Sequence, residues 1–147
     1  MTPDALAHYL HQTIPLARAM AVEVGEVSDG MVALRAPLPP NLNMHGTMFG
    51  GSIATLGLLA CWSVLHLRLV DQDIAAQLVV HRSETEFLRP VAGIAEARAH
   101  LAPALWPDFA TTLRRRGRAR MALTSEMRSG DQLVARFSGQ FVALAEI

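Results

Sequence analysis

The stretch Asn41-Leu42-Asn43-Met44-His45-Gly46-Thr47-Met48-Phe49-Gly50-Gly51-Ser52-Ile53 decides how this chain is read. A polar, asparagine-rich loop ends at two adjacent glycines and runs straight into a long apolar segment. Paired glycines let the backbone come close to another group, because no Cβ stands in the way. A helix that starts there leaves its first amides without internal partners, at the positive end of its dipole. Such amides form a cradle for a developing oxyanion, for example that of a thioester under attack. Close helix packing also uses paired glycines, so the rest of the chain has to separate the two readings.

From Gly51 to about Leu69 there is no period-two alternation. Ile53, Leu56, Leu58, Leu59, Trp62, Val64 and Leu65 cover every helical face, which predicts a helix buried on all sides. Gly57 and Ala60 thin one face, where a neighbour can pack close. The uncharged part, Ile53 to Leu65, is shorter than the run of about 20 apolar residues that spans a bilayer.

Around this segment the pattern changes. Thr2-Pro3 starts a helix striped by Leu6, Leu10 and Ile14, and Pro15 breaks or re-aims it near its end. Val22 to Val27 and Met31 to Leu38 read as strands joined at Ser28-Asp29-Gly30. After the apolar helix come four more stretches. Ala75 to Leu88 is a long strand and Ile94 to Leu101 another. A loop holding Pro103, Trp106, Pro107 and Asp108 follows, leading to Ala119 to Arg128, and Leu133 to Leu144 closes the chain after a Ser129-Gly130-Asp131 turn. The expected class is α+β, a sheet curved around one central helix.

The 147 residues fit a single domain spanning 1–147. With 51% hydrophobic and 18% charged residues, the chain has apolar surface to spare, and an oligomer interface is its natural outlet. Zero formal net charge argues against nucleic acid or a membrane surface as partner. The single Cys61 lies in the apolar run and reads as a small core residue. With no secretory signal at the N-terminus, it points to a reducing, cytoplasmic setting.

Three further motifs join the opening loop: Glu86-Phe87-Leu88-Arg89-Pro90-Val91, Gly117-Arg118-Ala119-Arg120 and Ala135-Arg136-Phe137-Ser138-Gly139. Together with Asn43-x-x-Gly46-Thr47-x-Phe49-Gly50-Gly51-Ser52 they resemble the hotdog fold. More narrowly, they are similar to the thioesterase domain that forms the C-terminal part of YiiD-type proteins. The resemblance implies an antiparallel sheet wrapped around a long central helix, with subunits paired edge to edge as a homodimer or dimer of dimers. It also implies an acyl-CoA or acyl-carrier-protein thioester as substrate, and no cofactor. Two departures stand out. Phe49 occupies the position where many hotdog thioesterases carry histidine. Two turns into the helix, where many carry an acid, stand Leu58 and Leu59.

Candidate chemistry falls to the remaining polar groups. Gly51's amide polarises the carbonyl, while Asn43, with His81 or His45, positions and activates water; imidazole exchanges protons near neutral pH. Alternation puts His81, Ser83, Thr85 and Phe87 on one strand face, which the resemblance turns towards the helix. There His81 and Ser83 serve either chemistry or as satisfied core groups. Asn43 equally suits plain turn chemistry, His45 a solvated loop, and Ser52 a helix cap. Substrate contacts are expected from Thr47, Phe49, Gly50, Ser52, Thr55, Ser83 and Arg89, with Leu58 and Trp62 among the acyl-pocket walls. Thr55 and Ser63 instead bond back to helix carbonyls in the alternative reading. Arg116 and Arg118, within the run from Arg114 to Arg120, suit the phosphates of coenzyme A or form a solvated strand entrance. His8 and His11 stand one helical turn apart without further ligands, so no metal is expected. Two rivals to a hydrolase remain: a non-catalytic acyl-thioester binding domain, and a hotdog 3-hydroxyacyl-thioester dehydratase.

Overall fold

The computed structural model describes residues 1–146. Its sheet is built from β1 (Glu23–Ser28), β2 (Met31–Ala36), β3 (Ala76–Phe87), β4 (Ala95–His100), β5 (Arg118–Ser129) and β6 (Gln132–Ala145). All pairings are antiparallel, in the order β1-β2-β4-β5-β6-β3, which leaves β1 and β3 as the edges. The central helix α3 (Gly50–Asp71) lies across one face and touches every strand from β2 to β6. This is the hotdog arrangement.

α3 is buried because its sequence offers water no polar face. Leu56, Ala60, Cys61 and Leu65 are fully buried against strand residues such as Leu34, Ala97, Phe137 and Phe141. At 22 residues the helix is longer than its uncharged part, and by length and composition it is able to cross a bilayer. Yet 61% of its most apolar window is buried within the chain. Gly57 marks the tightest contact. A Cβ there would stand 2.8 Å from Phe137 Cβ and 2.9 Å from Met127 Sδ, and the Ser125 hydroxyl donates to its carbonyl at 3.0 Å. Burial pushes the Cys61 thiol up to about 12, partly offset by a hydrogen bond with Ser125, so this cysteine is an inert core group.

α1 (Pro3–Thr13) begins as the sequence indicates, its Thr2 hydroxyl accepting from Ala5 N at 3.1 Å. A short α2 (Pro15–Ala19) continues it beyond Pro15. His11 Nε2 donates to Val22 O at 2.6 Å and so ties α1 to the approach of β1. Among the described residues no group of three potential metal ligands occurs.

The segment from Pro103 onward corrects the sequence reading. Instead of a loop it forms α4 (Trp106–Arg116), seated on β5 through Phe109, Ala110 and Leu113. Pro107 and Asp108 open it, and Gly117 closes it in the left-handed conformation at φ 72°, which a Cβ would disfavour. Arg114, Arg115 and Arg116 are therefore the last turn of a helix, where cations complement the dipole.

The outer face of the sheet is polar. Glu26, Arg98, Glu96 and Arg35 form a chain of ion pairs at 3.0–3.1 Å. Burial alone would raise the Glu96 carboxyl, but hydrogen bonds from Arg35 and Arg98 overcome it and hold its pKa below the ordinary value. β1 carries a bulge between Val24 and Glu26, with the Arg35 guanidinium lying over Gly25.

His66 stacks on Trp62 (centroids 4.6 Å) and on Tyr9 (4.8 Å), joining α3 to α1. Its Nε2 is buried without a hydrogen-bond partner among the described residues, and burial pushes its pKa down. Below the ordinary histidine value of about 6.5 the unfolded chain therefore takes up a proton that the fold resists, and stability falls with pH. His66→Phe keeps the stack and removes that proton site. The drop in melting temperature between about pH 7.5 and about pH 5.5 is expected to shrink in the variant. An equal drop in both proteins would show that the fold does not oppose this protonation.

Candidate active site

The loop ahead of α3 is folded by its own asparagines. Asn43 Oδ1 accepts from His45 N (2.8 Å) and Thr47 N (3.1 Å), while its Nδ2 donates to Thr47 Oγ1 at 2.8 Å. The side chain is committed to this turn, with one amide hydrogen left over. Asn41, two residues earlier, is buried and donates to Met20 O and Pro37 O at 2.9 and 2.8 Å. Its carbonyl accepts from Phe49 N at 2.7 Å, which fixes where α3 begins. Spacing alone does not distinguish Asn41 from Asn43 as the buried anchor. His45 is exposed, its ring without a hydrogen-bond partner among the described residues.

α3 starts at Gly50 with Phe49 as N-cap residue and no side-chain cap. Ser52 therefore does not cap it: the amides of Ser52 and Ile53 are taken by the Phe49 carbonyl at 2.9 and 3.2 Å. The amides of Gly50 and Gly51 have no acceptor among the described residues. Thr55 bonds back to Gly51 O at 2.7 Å, so its hydroxyl serves the helix, whereas the buried Ser63 Oγ has no partner among the described residues. With no acidic residue in its first turn, the helix presents an undiminished positive end.

Two aromatic rings frame the cradle. A Cβ on Gly51 would run into the Phe49 ring, and one on Gly50 would meet the Phe87 ring at 3.5 Å. The β3 tail is brought here by Met48 N, which donates to Val91 O at 2.8 Å, and by Leu88 and Arg89, whose amides bond to Val134 O. The opening loop and the Phe87–Val91 motif, distant in sequence, thus meet at one place. Arg89 is exposed beside them.

His81, Arg116 and Arg118 stand elsewhere in the chain. β3 carries a bulge at His81: Val80 pairs with Phe141 and Arg82 with Gln140, leaving His81 without a counterpart on β6. From there Ser83, Thr85 and Phe87 oppose Gly139, Phe137 and Ala135 on the helix side, as alternation requires. Neither His81 nor Ser83 is a buried core group; both are exposed on the edge strand, with no side-chain hydrogen bond among the described residues. Six residues separate His81 from Phe87, about 20 Å along a strand. Arg116 and Arg118 lie further still, at the β3 start, where Ala145 links Gly117 to Ala76. Leu58 and Trp62 are half-buried on α3, the Trp62 indole donating to Leu78 O at 3.0 Å. A groove of about 700 Å³ on the outer face, reached by Arg82, His100, Leu105 and Thr124, is remote from the helix start.

Similar proteins share this layout. A crystallographically solved protein of unknown function from Chlorobaculum tepidum superposes with a TM-score of 0.91 at 26% identity, covering 99% of this chain and 98% of its own. A "putative thioesterase" from Shewanella oneidensis gives 0.85 at 29% identity, with 97% and 96% covered. A "probable thioesterase" from Pseudomonas aeruginosa shares the fold at TM-score 0.82 and 23% identity, with 98% and 97% covered. The family described as "Putative thioesterase (yiiD_Cterm)" matches residues 3–145, a span that includes the loop, the free amides and the β3 tail, and the chain belongs to it.

Proposed function

We propose that this protein hydrolyses an acyl-CoA or acyl-carrier-protein thioester. The observation that carries the reading is the pair of unpartnered amides, Gly50 and Gly51, at the start of a helix free of nearby acid and framed by Phe49 and Phe87. Amides already pointed at a developing oxyanion need no reorganisation when charge appears, and one such donor is worth about 10²–10³ in rate. The thioester carbonyl lies on the amides and the acyl chain beside the two rings. Asn43 holds the loop and has one hydrogen to offer, His45 and Thr47 border the entrance, and Arg89 faces the leaving carrier.

The edge strand carries the second half of the reading. β3 is long, unpaired on one side and partly apolar, with Val79, Val80, Phe87 and Leu88 exposed. Such an edge pairs or aggregates, and a second copy of the chain is the partner proposed here. In an antiparallel pair, the Arg116 and Arg118 end of one chain comes to the Gly51 end of the other, which suits a grip on carrier phosphates. The setting proposed is the cytoplasm.

Steady-state turnover of acyl-CoAs of graded chain length, run beside one carrier-protein-bound acyl group, tests the hydrolase. Release of free thiol with saturation kinetics is the expected result. The missing acid on α3 favours a second reading, an acyl-thioester binding domain. Saturable binding of the same panel without thiol release would establish that reading and remove the first.

A further inference from the structure

The outer face of the sheet holds a depression that the thioester reading does not use. Two neighbouring rows of outward residues cross β3, β6 and β5 there. Glu84, Ser138 and Thr124 stand opposite one another in the first, and Arg82, Gln140 and Ala122 in the second. The row beside them is Glu86, Arg136, Glu126 and Arg98, long side chains of alternating sign, each held in an ion pair. Short side chains in mid-sheet thus leave a floor, and long charged ones raise a rim.

The far bank arises where β4 leaves the sheet. Its last pair with β5 is Ala99 with Ser125, so β5 is without it from Thr124 back to Arg118. His100 and a tight helical turn, Pro103–Leu105, stand beside this bare stretch and close the groove of about 700 Å³. Small-molecule sites usually measure about 300–1,000 Å³. From β3 to β4 are three strand spacings, about 14 Å between backbones. Leu105 lines the groove and is 45% exposed. Arg82, Glu84, His100, Thr124, Ser138 and Gln140 have no side-chain hydrogen bond or ion pair among the described residues, whereas Glu86 in the next row is held by Arg136 at 3.2 Å.

The distribution of these groups selects a ligand. The β3 bank offers a guanidinium and, two residues on, a carboxylate. The opposite bank offers an apolar side chain and an imidazole, and the floor between them hydroxyls and an amide. A bare inorganic anion leaves the Leu105 bank without a contact. An alkyl chain sets hydrocarbon against six polar groups. What fits is an anionic head, a hydroxyl-bearing middle and a flat body with polar edges. We infer that the groove is a second binding site, for a nucleoside phosphate. Arg82 takes the phosphate with its fork, and Glu84 accepts from the ribose hydroxyls. The base lies flat over Ala122, between Leu105 and His100, with Thr124, Ser138 and Gln140 at its edge and at the sugar. This site does not rest on the thioesterase reading, whose cradle is at the start of α3 on the other face of the sheet.

Calorimetric titration of the full chain with AMP tests the site without any assay of activity. Saturable binding is expected, about 10-fold or more tighter than that of adenosine or of inorganic phosphate. Arg82→Ala should weaken AMP by about 10-fold or more and leave adenosine unchanged, because only AMP has a phosphate to lose. Glu84→Gln should narrow the gap between AMP and its dideoxy analogue, which lacks the ribose hydroxyls. Ala122→Trp fills the floor from an exposed position and should abolish binding while the melting temperature holds.

Competition separates the two sources of such a phosphate. A free nucleotide is assigned if coenzyme A fails to displace AMP, and the nucleotide end of a carrier if coenzyme A displaces it at lower concentration. In either case Arg82→Ala must weaken the tighter ligand. Equal affinity for AMP and inorganic phosphate overturns the inference and leaves a bare anion spot. So does undiminished AMP binding in Ala122→Trp or in Arg82→Ala, which would put the nucleotide elsewhere, and so does a wild type that binds no nucleoside phosphate saturably. None of these results bears on thioester turnover at Gly50 and Gly51, so the two sites stand or fall separately.

Discussion

Gly57→Val is expected to destabilise the fold by about 3 kcal/mol or more. The substitution improves the intrinsic helix propensity of α3 by less than about 1 kcal/mol, because glycine is the poorest ordinary residue in a helix interior. Packing decides the sign. The new Cβ would stand 2.8 Å from Phe137 Cβ, an atom anchored to the β6 backbone that cannot swing away, and 2.9 Å from Met127 Sδ, which can. Valine then adds two methyl groups with little rotamer freedom to escape. Overpacking of this kind costs about 1–3 kcal/mol for small insertions, and a shifted helix also strains the Ser125 bond to the Gly57 carbonyl. A loss of about 3 kcal/mol or more is a large share of the 5–15 kcal/mol typical of a domain. Denaturant unfolding of Gly57→Val beside Gly57→Ala checks this, with alanine expected to suffer less. A valine variant with the wild-type midpoint would mean that helix and sheet are not in close contact there.

Gly51→Val is expected to abolish thioester turnover while the protein stays folded. The reason differs from that at Gly57. The obstacle to a Cβ at position 51 is the Phe49 ring, the exposed end of a side chain that can rotate into solvent. Fold stability is thus little affected, but the ring leaves its place and branched methyls crowd the free amide. Losing the approach to one oxyanion donor costs about 10²–10³ in turnover. Because the contact is made mainly in the transition state, kcat should fall and KM change little. Phe49→Ala separates the two contributions: it removes the ring and keeps the amide, so KM for longer acyl chains should rise while kcat for the shortest persists. Undiminished turnover in Gly51→Val would place the oxyanion elsewhere.

The parts of this fold written as strong periodicity were legible in the sequence. α3 was plain because leucines on every face leave no solvent side, and the β5–β6 hairpin because buried and exposed residues alternate along β5 around Ser129-Gly130-Asp131. α4 was hidden by the prolines and charges that bracket it. Yet Pro107 at the start, Asp108 in the first turn, Phe109 and Leu113 four residues apart, and Gly117 after the last arginine are all helix signals, readable once taken together. The cradle glycines were legible because they abut an apolar run. The bulge at His81 was not, since alternation continues on both sides of it and only the pairing with β6 reveals the extra residue. Nor could spacing show that Asn43 spends its side chain on Thr47 and His45 while Asn41 is the buried anchor; both suit turns equally.

The two rims of the sheet are built in opposite ways. β1 is short, kinked at Gly25, crossed there by the Arg35 guanidinium and fringed by Glu23 and Glu26, so a second β1 meets like charge and a misaligned ladder. β3 is twice as long and open. A ribbon grows only when both rims of each unit are adhesive, and here one is blunted. Addition of a second copy at β3 would consume the single adhesive rim of each chain and leave a finished particle with repellent ends. An apolar-rich chain built this way would avoid strand-linked polymer, because assembly through the sheet would stop at the first step.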